Sequence, residues 1–361
     1  MALDQQLEPW LRLALIPGVG AAALRGLLLA FGAPELILRA SHAALVRHVP
    51  DHVAHVICAG GAVDALPGIR AWLDDPLNRV ITLADPAYPQ PLLQIPDPPP
   101  LLYAKGRAEL LANPALAIVG SRHATPQGAA IAESFARTLS DAGLTIVSGL
   151  ALGIDAAAHR GGLAGHASSI AVLGTGLDIV YPARNRALAH ALASDGLLVS
   201  EFALGTPALG ANFPRRNRLI SGLARGCLIV EAAPASGSLI TARLANEQGR
   251  EVFAVPGSIH SPQSKGCHQL IKQGAKLTEN AHDILEELGL SSAAAAGGSL
   301  VASADPNLQT LLEHLGFDPC DIDTLATRCE LSSAAVAALL SQLEVDGAVT
   351  ALPGGRFQRV R

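Results

Sequence analysis

The chain has 361 residues, of which half are hydrophobic and only 3% aromatic, and its formal net charge is −5. That length suits two or three domains with a large aliphatic core. The acidic balance excludes a uniformly basic nucleic-acid coat, while leaving room for a local cationic patch. Five scattered cysteines (Cys58, Cys227, Cys267, Cys320, Cys329) contain no CxxC pair. That pattern is neither a disulfide framework nor a cysteine zinc site, and it fits a reducing cytoplasm.

Residues 1–78 read as a small N-terminal helical domain. Its first part, residues 7–45, has the pattern of short amphipathic helices, with Ile16-Pro17-Gly18-Val19-Gly20 as the turn between two Leu/Ala-rich segments. Such a turn belongs either to a helix-hairpin-helix or SAM-like unit, whose glycine amides approach a phosphate, or to a plain helical bundle. No basic segment precedes the first apolar run, and Arg12 and Arg25 interrupt the stretch from Leu11 to Ala33. Neither a signal peptide nor a membrane span is expected. The proline-rich residues 85–100 read as a connection into the next domain.

Residues 79–288 alternate short apolar runs with helical patterns. Runs at Ala115–Val119, Leu144–Val147, Ser169–Leu173, Leu197–Ser200, Cys227–Val230 and Glu251–Val255 are interleaved with helix patterns near Gln127–Ala142, Ile154–Leu163 and Asn185–Ser194, and with one running to Glu247. Runs of four to six apolar residues between helices indicate βαβ units. The expected core is therefore an α/β, Rossmann-like, doubly wound and mostly parallel sheet. Nearly every strand is followed by small residues: Gly120-Ser121-Arg122, Ser148-Gly149, Gly174-Thr175-Gly176, Ser236-Gly237-Ser238 and Pro256-Gly257. In such a sheet these loops share the carboxyl edge, where ligands bind and where backbone amides and helix N-termini favour anions.

Net charge is −2 in residues 1–78, +1 in 79–304 and −4 in 305–361, so an anion-binding surface is expected in the middle segment. Its densest cationic stretch is Asn212-Phe213-Pro214-Arg215-Arg216-Asn217-Arg218, running on to Ser221 and Gly222. It is expected as a loop on the same edge. It reads either as solvated charge and internal ion pairs or as a polyanion site with Phe213 free to stack on a base.

Residues 289–304 are low-complexity and read as a flexible linker. Residues 305–361 have a winged-helix-like outline: helix, helix-turn-helix, then a two-stranded wing. The helix in the recognition position, Ser332–Gln342, carries no Arg or Lys, so packing or protein interaction is expected there before duplex reading. Asp178, Glu201 and Glu231 fall near the edge and are expected to balance arginines or cap helices. His159, His166 and His260 are isolated, and no metal site or cofactor is expected.

Taken together, these motifs resemble the DNA-processing protein A (DprA, or Smf) family. They include Val119-Gly120-Ser121-Arg122, Gly149-Leu150-Ala151 with Gly153-Ile154-Asp155, Tyr181-Pro182 with Asn185, Phe213-Pro214 with Arg216-Asn217-Arg218, and Ser236-Gly237-Ser238. The resemblance covers about residues 80–285. It implies a cytoplasmic, non-catalytic protein that binds single-stranded DNA, dimerises through its Rossmann-like domain, protects incoming strands in natural transformation and loads the RecA recombinase onto them. It assigns DNA contacts to Arg122, Phe213, Arg216, Asn217 and Arg218. Gly120, Ser121, Arg184, Arg215, Ser221, Gly222, Gly237, Ser238 and Lys265 complete the expected site. The segment 263–275, with Leu270 and Ile271, is a candidate recombinase contact. Two other readings remain at this stage. A nucleoside-monophosphate hydrolase of the lysine-decarboxylase-like group would need a carboxylate that the loop at Ala235–Ala242 lacks. A duplex-DNA regulator would have to work through the acidic C-terminal module.

Overall fold

The computed structural model describes residues 6–290 and 306–360. Six helices come first: α1 (Leu7–Ala14), α2 (Ala21–Phe31), α3 (Pro34–Leu38), α4 (His42–Leu45), α5 (Asp51–Cys58) and α6 (Leu66–Leu73). Leu13, Ile16, Leu24, Leu27, Leu45, Val53 and Ile57 form their common core. Trp10, Leu11, Leu66 and Ile69 instead join Val80, Leu101 and Tyr103, so the helical unit is packed onto the sheet that follows. Among the described residues no single helix is long and apolar enough to cross a membrane.

The sheet contains β1 (Asn78–Thr82), β2 (Leu101–Gly106), β3 (Ala115–Gly120), β4 (Thr145–Ser148), β5 (Ser169–Val172), β6 (Leu197–Ser200), β7 (Gly226–Val230), β8 (Glu251–Ala254) and β9 (Lys276–Leu277). Their spatial order is β1-β2-β6-β5-β4-β3-β7-β8-β9. The strands β3 to β9 are parallel to their neighbours in that set, and β2 pairs antiparallel with both β1 and β6. The doubly wound, mostly parallel sheet expected from the sequence is present. Its antiparallel edge was not foreseen, because residues 85–100 were taken for a connection alone. They do connect, but across one end of the sheet from β1 to β2, and they hold the short helix α7 (Gln90–Leu93). Tyr88 anchors the crossing, buried, with its hydroxyl donating to Pro99 O at 2.8 Å.

Strands buried on both faces need apolar side chains in both directions. Ala117 and Val119 of β3 enter one core with Val147 and Ile229. The alternate residues Leu116 and Ile118 enter the other, with Ile146, Leu228 and Val230. The covering helices are α8 (Pro126–Asp141), α9 (Ile154–Ala164), α10 (Arg186–Asp195), α11 (Asn212–Leu223), α12 (Gly237–Glu247), α13 (Lys265–Lys272) and α14 (Ala281–Glu287). Helix α8 starts where Thr125 accepts a bond from Gly128 N and Pro126 takes the first helical position, where its missing N–H costs nothing.

One expectation is corrected here. The arginine-rich stretch is not a loop but the helix α11. The stretch lies between two strands, but it also has room for three helical turns, and its Pro214 falls in the first turn, where proline is tolerated.

The expected linker at 289–304 lies, apart from Gly289 and Leu290, outside the described residues. Beyond it, α15 (Pro306–Leu315), β10 (Cys320–Asp321), α16 (Ile322–Cys329), α17 (Ser333–Val345), β11 (Val349–Leu352) and β12 (Arg356–Arg359) surround a core of Leu311, Leu325, Leu340 and Val349. Its sheet order is β10-β12-β11. This is the winged-helix outline with one short strand added to the wing.

Candidate functional site

The chain leaves β3 at the middle of the sheet, builds β4, β5 and β6 on one side, and then returns to place β7 and β8 on the other. The loops after β3 and β7 therefore part company, and the crevice beyond their carboxyl ends is where a doubly wound sheet offers a ligand site. A cleft of about 770 Å³ lies there. Its walls are the loop Gly120–His123 after β3, Ala151 and Asp155 after β4, Ala233 to Ser238 after β7, and the first turns of α11.

Helical periodicity sorts the arginine-rich stretch into two faces. Phe213, Arg216, Asn217 and Ile220 follow the spacing i, i+3, i+4, i+7, and all four line the cleft. Arg215 and Arg218, three apart, turn the other way and share one carboxylate. Arg215 Nη2 lies 2.9 Å and Arg218 Nη2 2.5 Å from Glu201 Oε2. Glu201 is nearly fully buried and Arg218 is only 8% exposed. Arg218 Nε also lies 3.4 Å from Asp97, which pairs in turn with Arg25 of α2. Burial raises the Glu201 carboxyl and lowers the Arg218 guanidinium from their ordinary values, and the two charges oppose those shifts in each other. One face of the helix thus makes the internal ion pairs that the sequence allowed for, while the other turns toward the cleft.

Arg216 is the cation built into the cleft wall. It is 4% exposed and donates through Nη1 to Val172 O at 2.5 Å. Its buried Nε has no hydrogen-bond partner. Burial brings its pKa down to about 10, with Asp155 pulling the other way, so it carries its charge at neutral pH. Among the described residues Asp155 is the one carboxylate lining the cleft, and its Oδ2 already accepts from Gly149 N and Ala151 N at 3.1 and 3.3 Å. Burial raises the Asp155 carboxyl, opposed first by Arg216. Behind them His159 is wholly buried. Desolvation, reinforced by Arg216, lowers its pKa to about 3, and its neutral ring spans Ser169 Oγ and Leu150 N.

Two glycines of the sequence motifs serve close packing. A Cβ at Gly149 would overlap the Arg216 guanidinium, and one at Gly174 would stand 2.9 Å from Phe213 Cδ1. The Phe213 ring held there faces Tyr181, with centroids 5.5 Å apart at 36°. The Arg122 guanidinium lies 5.9 Å from the Phe213 centroid. Arg122 is exposed and has no carboxylate partner among the described residues. An aromatic pair flanked by one free and one built-in cation, with a single acid nearby, can hold a flat ring beside an anion.

The expected residues separate accordingly. Gly120, Ser121, Arg122, Phe213, Arg216, Asn217, Gly237 and Ser238 line the cleft. Ser238 Oγ lies 2.7 Å from Ser236 Oγ, the N-cap of α12. Arg215 and Arg218 face Glu201. Ser221 and Gly222 are buried inside α11, Ser221 Oγ donating back to Asn217 O and Arg218 O, each at 3.3 Å, and Gly222 packing against Leu92 and Ile95. Arg184 is exposed in the turn Ala183–Asn185 outside the cleft lining. Lys265 lines a separate hollow with Ile259, His268, Ile271 and Leu277. Sequence reasoning missed Tyr181, Asp155, His123, Thr241 and Gln263 as lining residues. Tyr181 had a usable signal, since the chain has only three tyrosines.

Comparison with known proteins agrees with this architecture. The model of the DNA recombination-mediator protein A family matches residues 79–289, and that of the DprA winged helix domain matches residues 293–355. The chain is 44% identical over 298 residues to Protein Smf of Escherichia coli strain K12, spanning 80% of this chain and 79% of that protein. It is 48% identical over 206 residues to DNA processing protein DprA of Streptococcus pneumoniae, spanning 57% and 73%. The X-ray structure of the pneumococcal DprA covers 79% of this chain and 98% of its own at 37% identity, with a TM-score of 0.68. A structure of the Helicobacter pylori protein, determined to explain its single-stranded DNA binding mode, covers 58% and 95% at 31% identity, with a TM-score of 0.53.

Proposed function

This chain belongs to the DNA-processing protein A family, and from that premise we propose that it binds single-stranded DNA without sequence preference. It protects incoming strands in the cytoplasm and passes them to the RecA recombinase during natural transformation. The observation that carries this reading is the cleft at the switch point: Phe213 and Tyr181 offer aromatic faces to a base, while Arg122 and Arg216 stand ready for its phosphates. Every base has a flat face and every nucleotide a phosphate, so such a site tolerates any sequence.

No catalytic step is assigned to the cleft. A hydrolase would need a free carboxylate beside the bound nucleotide. Asp155, the one carboxylate lining the cleft among the described residues, has Oδ2 already committed to two backbone amides. The protein acts as a homodimer through the outer edge of its sheet. Support for this comes from the hollow at β9, where Ile259 is 65% and Leu277 45% exposed beside Ile271. Leu270 and Ile271, the apolar pair expected as a recombinase contact, both pack partly against the core. Two clefts joined in this way would engage one strand bivalently and gain avidity without new contacts.

Fluorescence anisotropy with labelled single- and double-stranded oligonucleotides across a salt series tests this reading. Single strands should bind more tightly, with affinity falling by a log–log slope of about −0.7 per phosphate neutralised. Equal affinity for duplex, or no salt dependence, would count against it.

A further inference from the structure

His42, Asp51 and His55 converge on the surface of the N-terminal helical unit. None of them lines the cleft. Asp51 and His55 stand one turn apart on α5, so both project from the same face of that helix, and His42 meets them from the first position of α4. His42 Nε2 lies 3.1 Å from His55 Nδ1. His42 Nε2 is 3.3 Å from one Asp51 oxygen, and His55 Nδ1 is 3.3 Å from the other. Around a tetrahedral zinc ion, with ligands at about 2.0–2.1 Å, neighbouring donor atoms stand about 3.3 Å apart. One donor atom from each of the three residues lies within 4.8 Å of the others, close enough to be drawn onto one such ion.

We propose that His42, Asp51 and His55 form a divalent-metal site, with Zn²⁺ as its ion. Two imidazoles and one carboxylate suit that borderline ion, whereas magnesium and calcium require oxygen sets. His42 is 38%, His55 67% and Asp51 74% exposed, so the fourth coordination position opens to solvent and takes a water. The ion replaces the contact between the two imidazoles and pins α4 to α5 across the turn at residues 46–50. The one cysteine in residues 1–78 is Cys58, exposed on α5, with Sγ 3.9 Å from Ala40 O. It lies outside the converging set and supplies the control.

The test is calorimetric titration of the tag-free, chelator-treated full chain with ZnCl₂, paired with the visible absorption spectrum of its Co²⁺ form. One equivalent should bind. His42→Ala and His55→Ala should each weaken binding by more than about tenfold, while Cys58→Ser should bind as the wild type does. Circular dichroism should be unchanged in all three, since the altered side chains are partly or fully exposed. Failure of the wild type to bind one equivalent would overturn the proposal. So would unchanged binding in both histidine variants, or loss of binding in Cys58→Ser alone.

Discussion

Gly149 leaves open the space that the Arg216 guanidinium fills; a methyl group at that position would overlap Nη1. The loop after β4 therefore determines where the buried cation of the cleft can lie. Gly149→Ala should displace Arg216 at an overpacking cost of roughly 1–3 kcal/mol. Thermal unfolding should show the lower stability, and anisotropy should show weaker oligonucleotide binding. A variant unchanged in both would mean that Arg216 does not depend on this glycine.

Arg122, on the loop after β3, and Arg218, on the face of α11 turned from the cleft, predict opposite phenotypes. Arg122→Ala should weaken single-strand binding and leave the unfolding temperature unmoved, because the side chain is exposed and lacks an ionic partner among the described residues. Arg218→Ala should act on the fold first. It removes one of the two arginines on buried Glu201, and breaking such a pair costs roughly 3 kcal/mol. Urea unfolding of both variants checks the contrast.

Phe213→Ala should lose about 1–3 kcal/mol of single-strand affinity, the usual value of one stacked base. Phe213→Trp should retain most of it. Anisotropy titrations at one fixed salt concentration separate the two variants, and equal losses in both would argue against stacking.

His159 gives a pH dependence whose sign follows from its burial. Its pKa falls from 6.5 to about 3 in the folded protein. Below pH 6.5 the unfolded chain takes up a proton that the folded chain refuses. This contribution to stability is therefore complete above pH 6.5 and is lost as pH falls towards 3, by about 1.4 kcal/mol per pH unit. Asp155 and Glu201, raised by burial, act in the opposite direction in both wild type and variant. The difference between wild type and His159→Gln, measured by urea unfolding between pH 7 and pH 4, isolates the histidine. Parallel stability curves would contradict the assignment.

Much of this architecture was legible in the sequence because its signals are local. Apolar runs of four to six residues between helices marked β3 to β8, and the small residues after them marked the carboxyl edge. What stayed hidden depends on tertiary placement. The strands β1 and β2 lie beside a proline-rich crossing that carries no periodic signal, and β9 is only two residues long. Arg216 and Arg218 look alike in the sequence, yet a separation of two residues on a helix turns them some 200° apart, one toward Asp155 and the other toward Glu201. The glycines were read as phosphate cradles, but Gly149 and Gly174 make room for Arg216 and Phe213, side chains more than 30 residues away in the chain. His42 and His55 are thirteen residues apart and meet only because α4 folds back against α5.

On the proposed function, the cleft between the loops after β3 and β7 holds the single strand. Photocrosslinking tests it most directly: a bromodeoxyuridine-substituted oligonucleotide is bound to the full chain, irradiated and digested, and the adducts are mapped by mass spectrometry. Adducts are expected on Phe213 or Tyr181, suppressed by Arg122→Ala. Adducts confined to the turn Ile16–Gly20 or to α17 and the wing, with none on α11 or the Tyr181 loop, would contradict it.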